Sequence, residues 1–167
     1  MKKLLCAVFV VLLALGAKSQ TAEPEAPYLR FPTIPAAKLL LADSSSYFTK
    51  EKLKKNQPTL YIVFNPGCEH CQHETKEITA NIDKFKKINI VMATPESFDK
   101  MKAFYVEYKI KDYPNIIMGR DEHFTLPSFF MIHNLPFMAF YNKSRKLIST
   151  HEGSYGVTKI LEELNKK

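Results

Sequence analysis

Two rhythms of hydrophobic and polar positions run along this chain, and each change of rhythm marks an element. Thr59 to Phe64 is a short apolar run, rich in β-branched and aromatic residues, that ends in the turn Asn65-Pro66-Gly67. Beyond it, Cys71, Thr75, Ile78, Ile82 and Phe85 recur in steps of three and four. That spacing predicts one face of a helix that opens at Cys68-Glu69-His70-Cys71 and runs to about Lys87. Ile88 to Ala93 reads as a buried strand. Thr94 then reads as the cap of a helix with Pro95 at its first position and Phe98, Met101, Tyr105 and Tyr108 facing inward. Asn115 to Met118 is another short strand, after which Gly119-Arg120-Asp121 turns into a helix containing Phe129 and Phe130. From Pro136 to Tyr141 the period becomes two; a turn at Asn142 to Arg145 and a second run, Lys146 to Thr150, complete a β-hairpin. Gly153 breaks the chain, and Val157 to Leu164 predicts a closing helix with Ile160, Leu161 and Leu164 inward.

The first third is less regular. Lys38 to Leu41 reads as a strand, Asp43 to Ser46 as a loop, and Phe48 to Lys55 as a short polar helix ended by Asn56-Gln57-Pro58. Residues 20–37 hold Pro24, Pro27, Pro32 and Pro35 and form a Pro-rich linker or strap, with Tyr28 to Phe31 as a short edge strand. Residues 1–19 have the pattern of a secretory signal: Lys2 and Lys3, an apolar run from Leu4 to Gly16, then small residues at Ala17 and Ser19. Residues 38–167 are left as one domain. Strands alternating with helices, then a hairpin and a final helix, imply a three-layer α/β fold with a mixed central sheet and helices on both faces.

Composition agrees with one real core: 46% of the 167 residues are hydrophobic. Removing residues 1–19 takes away three lysines and no acid, so the formal charge falls from +7 to +4. The run Lys50 to Lys55 contains Glu51 and Leu53 and reads as a solvated helix face, which argues against nucleic acid as a partner. Cys6 leaves with the leader, so Cys68 and Cys71 are the cysteines that remain.

Two thiols one helical turn apart can close a disulfide, but a four-residue loop removes little entropy from the unfolded chain. A redox role explains the pair better than a structural staple. Cys68 belongs at the exposed helix start, where unpaired N–H groups and the helix dipole favour the thiolate, and Cys71 on the inward face. A protonated His70 would stabilise that thiolate, and Glu69 pushes the other way. Cys68, His70, Cys71 and His73 are also soft or borderline ligands for Cu(I) or Zn²⁺. Their spacing scatters them around the helix start, so no metal site and no cofactor is expected.

The strand–Cys68-x-x-Cys71–helix unit, the segment Phe130-x-Ile132-x-x-x-Pro136 leading into a strand, and the hairpin followed by Gly153 and a helix occur in one order. Together they resemble the thioredoxin superfamily over roughly residues 38–167. An inserted strand–helix unit, about residues 88–110, is similar to the exported TlpA and ResA-like thiol–disulfide oxidoreductases. The motif Phe64-Asn-Pro-Gly-Cys-Glu-His-Cys-Gln72 resembles Bacteroidetes-type secreted members. The resemblance implies that Cys68 attacks a substrate disulfide, Cys71 resolves the mixed disulfide, and a cis Pro136 exposes the backbone of Leu135 to substrate. It further implies a monomer in the periplasm of a Gram-negative bacterium, with disulfide-containing or dithiol protein clients and a membrane electron donor. A reductase is the favoured direction, a disulfide oxidase or a Cu/Zn-binding thioredoxin-fold protein the alternative. Three departures stand out. The chain has no Trp, so Gly67 precedes Cys68; Ile62 stands where many thioredoxins carry a buried acid; and Asn65 stands where peroxiredoxins carry a Thr. Glu69, Glu74 and Glu77 are the candidate replacements for that acid.

Overall fold

The computed structural model describes residues 25–166, so the proposed leader lies outside the described residues. At its centre is β3, Thr59–Val63, buried on both faces and flanked by β4, Asn89–Thr94, in parallel and β6, Phe137–Tyr141, in antiparallel. Double burial explains why β3 reads as a continuous apolar run rather than an alternation. Outward on one side lie β5 (Ile116–Arg120, parallel to β4), β1 (Leu39–Leu41) and β2 (Tyr47–Phe48); on the other lies β7 (Leu147–Glu152).

The two sides of β3 feed two cores. Leu60 and Ile62 pack with Ile78 of α2 (Glu69–Ala80), Met101 and Phe104 of α3 (Phe98–Glu107), and Ile160 of α5 (Val157–Leu164). Tyr61 and Val63 face Leu126 and Phe130 of α4 (Thr125–Phe130) and the N-terminal residues Ile34 and Ala37. The strap is therefore packed, and its helical turn α1, Pro27–Arg30, sets Tyr28 against Phe130 with ring centroids 5.7 Å apart.

Several expected elements take a different form, each for a local reason. Tyr28 to Phe31 is not an edge strand: Pro27 starts a helical turn that the Phe31 N–H closes onto the Pro27 carbonyl at 2.9 Å. Phe48 to Lys55 is not a helix either. Phe48 pairs with Leu39 in β2 and is buried, leaving a 3₁₀ turn at Lys50–Lys52. The cysteine helix stops at Ala80 rather than near Lys87, because the Asn81 side chain donates to the Glu77 carbonyl at 2.9 Å and a 3₁₀ turn, Ile82–Phe85, follows. Thr94 ends β4 paired with Arg120, so the cap of α3 falls to Ser97, whose hydroxyl accepts the Lys100 N–H at 3.4 Å. With the helix starting three residues later than Pro95, Phe104 joins Met101 inside while Phe98 and Tyr105 are only half-buried.

Gly119 sets the close approach of β1 to β5: a Cβ there would lie 2.8 Å from Leu39 Cβ and 2.9 Å from the Leu40 carbonyl oxygen. Backbone cannot yield as a flexible side chain would. Gly119→Ala should lower unfolding free energy by about 1–3 kcal/mol, measured by urea denaturation; unchanged stability would mean that β1 is not held against β5 in this way.

Candidate functional site

β3 is followed by Phe64, whose N–H still bonds to the Ala93 carbonyl at 3.0 Å, and then the chain turns sharply. Asn65 makes the turn. Its side-chain oxygen accepts the Gly67 N–H at 2.8 Å, and its backbone carbonyl accepts the Cys68 N–H at 3.0 Å. The side-chain amide of Asn65 donates to Glu96 Oε1 at 2.8 Å. Glu96 is itself fixed by Lys100 at 2.7 Å and by Arg120 Nε, which donates to its carbonyl at 2.9 Å. The turn is thus tied to the β4–α3 connection.

Cys68 is the N-cap residue of α2: its backbone is extended, and its carbonyl accepts the Gln72 N–H at 3.0 Å. Its thiol is half-buried and sits where the helix's free N–H groups and dipole favour negative charge. Cys71, one turn on, is 1% exposed and packed in the core with Leu60 and Ile62. Both are free thiols. Burial pushes the Cys71 thiol up to about 12; a hydrogen bond with Cys68 adds to this, and the Asn65 backbone opposes it. Two thiols in one motif therefore differ in access, and burial disfavours ionisation of the inner one.

Glu69 and His70 both lie exposed in the first turn of α2, as does His73 beyond them. Cys71 faces inward, and among the described residues no group of three or more His, Cys, Asp or Glu is placed to hold a metal ion. Of the acids weighed as replacements for the missing one on β3, Glu69 and Glu77 are exposed and Glu74 is 2% exposed. Glu74 is engaged: the Tyr155 N–H donates to it at 2.8 Å and the Gly156 N–H at 3.3 Å, which ties α2 to the start of α5.

The register of β3 with β6 pairs Val63 with Phe137, so the Asn65 turn and the residues before Phe137 share one end of the sheet. There the Leu135–Pro136 bond is cis. Pro136 is buried, Leu135 half-buried against both cores, and neither backbone group of Leu135 has a hydrogen-bond partner among the described residues. The segment is held from β7. The Glu152 carboxylate accepts the N–H groups of His133 at 2.9 Å and Asn134 at 3.0 Å, and the Gly153 N–H donates to the Pro136 carbonyl at 2.8 Å. Burial raises the Glu152 carboxyl, but these donors outweigh it and hold it below its ordinary value. Neither Glu152 nor Glu96 carries a sequence signal, because each acts on a residue far along the chain. Asn65 did carry one, the Asn-Pro-Gly turn.

No protein-family model matches the sequence, and no curated protein matches it. Solved structures do resemble it. MTB DsbF, in mixed oxidized and reduced forms, superposes with a TM-score of 0.66 at 18% identity, over 79% of this chain and 97% of that one. A secreted Mycobacterium tuberculosis disulfide oxidoreductase homologous to E. coli DsbE gives 0.64 at 13% identity, over 77% and 94%. The exposed lipoprotein thioredoxin Etrx1 of Streptococcus pneumoniae gives 0.60 at 20% identity, over 76% and 96%. The fold is thioredoxin-like. In this thioredoxin-like domain the two cysteines and the Pro136 segment meet at the end of β3, and the hairpin and its closing helix follow in the same order as in the resemblance.

Two outcomes follow from the charges and burial. Pulse alkylation near neutral pH should label Cys68 well before Cys71, and Cys71 labelling should climb only as pH rises toward about 12. Equal labelling at neutral pH would contradict the inward placement of Cys71. For Glu152, a lowered carboxyl contributes stability above its unfolded range and loses it as pH falls through the folded value. Protection factors of the His133 and Asn134 amides, corrected for intrinsic exchange, should therefore fall as pH drops through the Glu152 titration, below the ordinary carboxylate range, and Glu152→Gln should show the lower protection already at neutral pH.

Proposed function

We propose that this protein is an exported thiol–disulfide oxidoreductase that reduces disulfides in partner proteins through a Cys68–Cys71 dithiol/disulfide cycle. The observation that carries the reading is the pairing of an accessible thiol on a helix N-cap with a buried thiol one turn behind it. The Cys68 thiolate attacks one sulfur of a client disulfide; a Cys68–client bond forms, the client S–S bond breaks and a client thiolate leaves. Cys71 then attacks Cys68 Sγ, giving up its proton as it does so. The Cys68–Cys71 disulfide closes, the mixed disulfide breaks, and the second client thiol departs with the electron pair. Two electrons and two protons pass to the client, and an external dithiol, here a membrane electron donor, restores the reduced state.

The high Cys71 value suits this order. Buried and neutral, Cys71 does not compete for solution disulfides, and the client thiolate released in the first step takes up its proton. The unpartnered backbone of Leu135 beside Pro136 supports a strand-like grip on the client. His70 and Glu69 tune Cys68 by opposing charge, weakly, since both side chains are exposed to screening solvent. Export rests on the apolar Leu4 to Gly16 run; among the described residues no helix is long and apolar enough to cross a membrane. A periplasmic monomer of the TlpA and ResA-like type completes the reading. No cofactor is needed for exchange between thiols.

The equilibrium potential of the cysteine pair separates reductase from oxidase. A value nearer thioredoxin's, about −270 mV, than DsbA's, about −120 mV, is expected, together with reduction of insulin disulfides that Cys68→Ser abolishes. His70→Ala should move the potential in the reducing direction by no more than about 30 mV. A wild-type value close to DsbA's, with rapid oxidation of reduced peptides, would make the protein an oxidase.

A further inference from the structure

Charge is segregated along the strand direction. The segments at the end of the sheet away from the cysteines, residues 53–58, 82–88, 109–115, 142–146 and 161–166, carry eleven Lys or Arg against four Asp or Glu. That excess of seven equals the formal charge of the whole chain, +7, so everything else sums to zero. At this basic end a cavity of about 470 Å³ is lined by Lys55, Lys84, Lys87 and Lys143, with Ile88 and Leu164 among its apolar walls and no carboxylate.

Two of the four acids are already engaged. Asp83 pairs with Lys86 at 2.8 Å, and Glu163 takes hydrogen bonds from Ser149, Tyr155 and Lys166. Among the described residues Lys55, Lys87 and Lys143 make no ion pair, and Lys84 donates only to the neutral Asn81 side chain, at 2.8 Å. Like charges around one apolar-walled cavity repel each other and focus a positive potential outward. The Gln57 side-chain oxygen, in the same lining, is buried without a partner. The excess extends past the cavity over five chain segments, wider than a small free anion would cover. Its mixture of ammonium groups and apolar wall matches phosphodiesters above a glycerol and acyl layer.

We propose that this basic end docks on anionic phospholipid headgroups. The inference does not depend on the redox reading. The test is sedimentation of the full chain with vesicles of phosphatidylcholine alone or with about a third phosphatidylglycerol, in low salt and in about 0.5 M salt, where screening shortens to a few ångströms. Binding to the anionic vesicles should exceed binding to neutral ones and fall away at high salt. The combined variant Lys55→Glu, Lys87→Glu, Lys143→Glu should weaken the anionic binding about tenfold or more, with Cys68 alkylation unchanged. Lys76→Glu with Lys159→Glu, outside the cavity lining, should bind as wild type does. The apolar run from Leu4 to Gly16 is common to every variant, so the difference between variants is the readout. Vesicle binding that the triple variant leaves intact would overturn the proposal. So would binding of inorganic pyrophosphate without vesicle binding, which would make the cavity a free-anion site.

Discussion

Burial of β3 on both faces is the constraint on which the cysteine end depends. Five residues, Thr59 to Val63, pair in fixed register with β4 on one side and β6 on the other. A slip of one residue would send Leu60 and Ile62 into the core that Tyr61 and Val63 occupy, so the register has no cheap alternative. Because Val63 pairs with Phe137, the chain leaving β3 and the chain entering β6 meet at one end. The Asn65 turn and the Leu135–Pro136 bond are brought together by core packing; neither has to find the other.

Apolar packing sets that placement coarsely, and a few charged hydrogen bonds refine it. Glu96 fixes the Asn65 amide, Glu152 holds the backbone of His133 and Asn134, and Glu74 holds Tyr155 and Gly156. Each links segments distant in sequence, and each has a carboxylate accepting from N–H groups, the stronger kind of hydrogen bond. Glu74 shows what such a link costs in versatility. Its position on the cysteine helix suggests proton transfer, yet its oxygens already accept two backbone N–H groups.

Much of this was legible in the sequence where the signal is local and periodic. The run of β3, the hairpin and α5 depend on spacing alone, and the Cys68-x-x-Cys71 pair announces its own chemistry. Legibility failed where two local preferences compete and tertiary contact decides. Thr94-Pro95 is a good helix start, but pairing with Arg120 keeps Thr94 in the sheet. Phe48 to Lys55 has a helical polar pattern, but Leu39 offers Phe48 a strand partner and a core. It failed altogether for Glu96 and Glu152, whose partners are fixed only by the topology. The lysines follow the same rule. Lys50 to Lys55 read alone is a solvated face, and only the sheet direction reveals that four other segments deliver their lysines to the same end.

The two ends of the domain therefore rest on different physics. At the cysteine end, charge is managed within the first turn of one helix: the dipole acts on Cys68, and burial keeps Cys71 neutral a few ångströms further in. The hold of burial on Cys71 is short-ranged and survives salt, since low-dielectric surroundings screen little. At the basic end, the lysines act through solvent, and their effect falls off within a Debye length of about 8 Å at physiological ionic strength. β3 spans five residues, about 17 Å at about 3.3 Å each, so the lysine field scarcely reaches Cys68. A surface engaging the basic end would therefore leave the electrostatics around the thiols at the other end nearly unchanged.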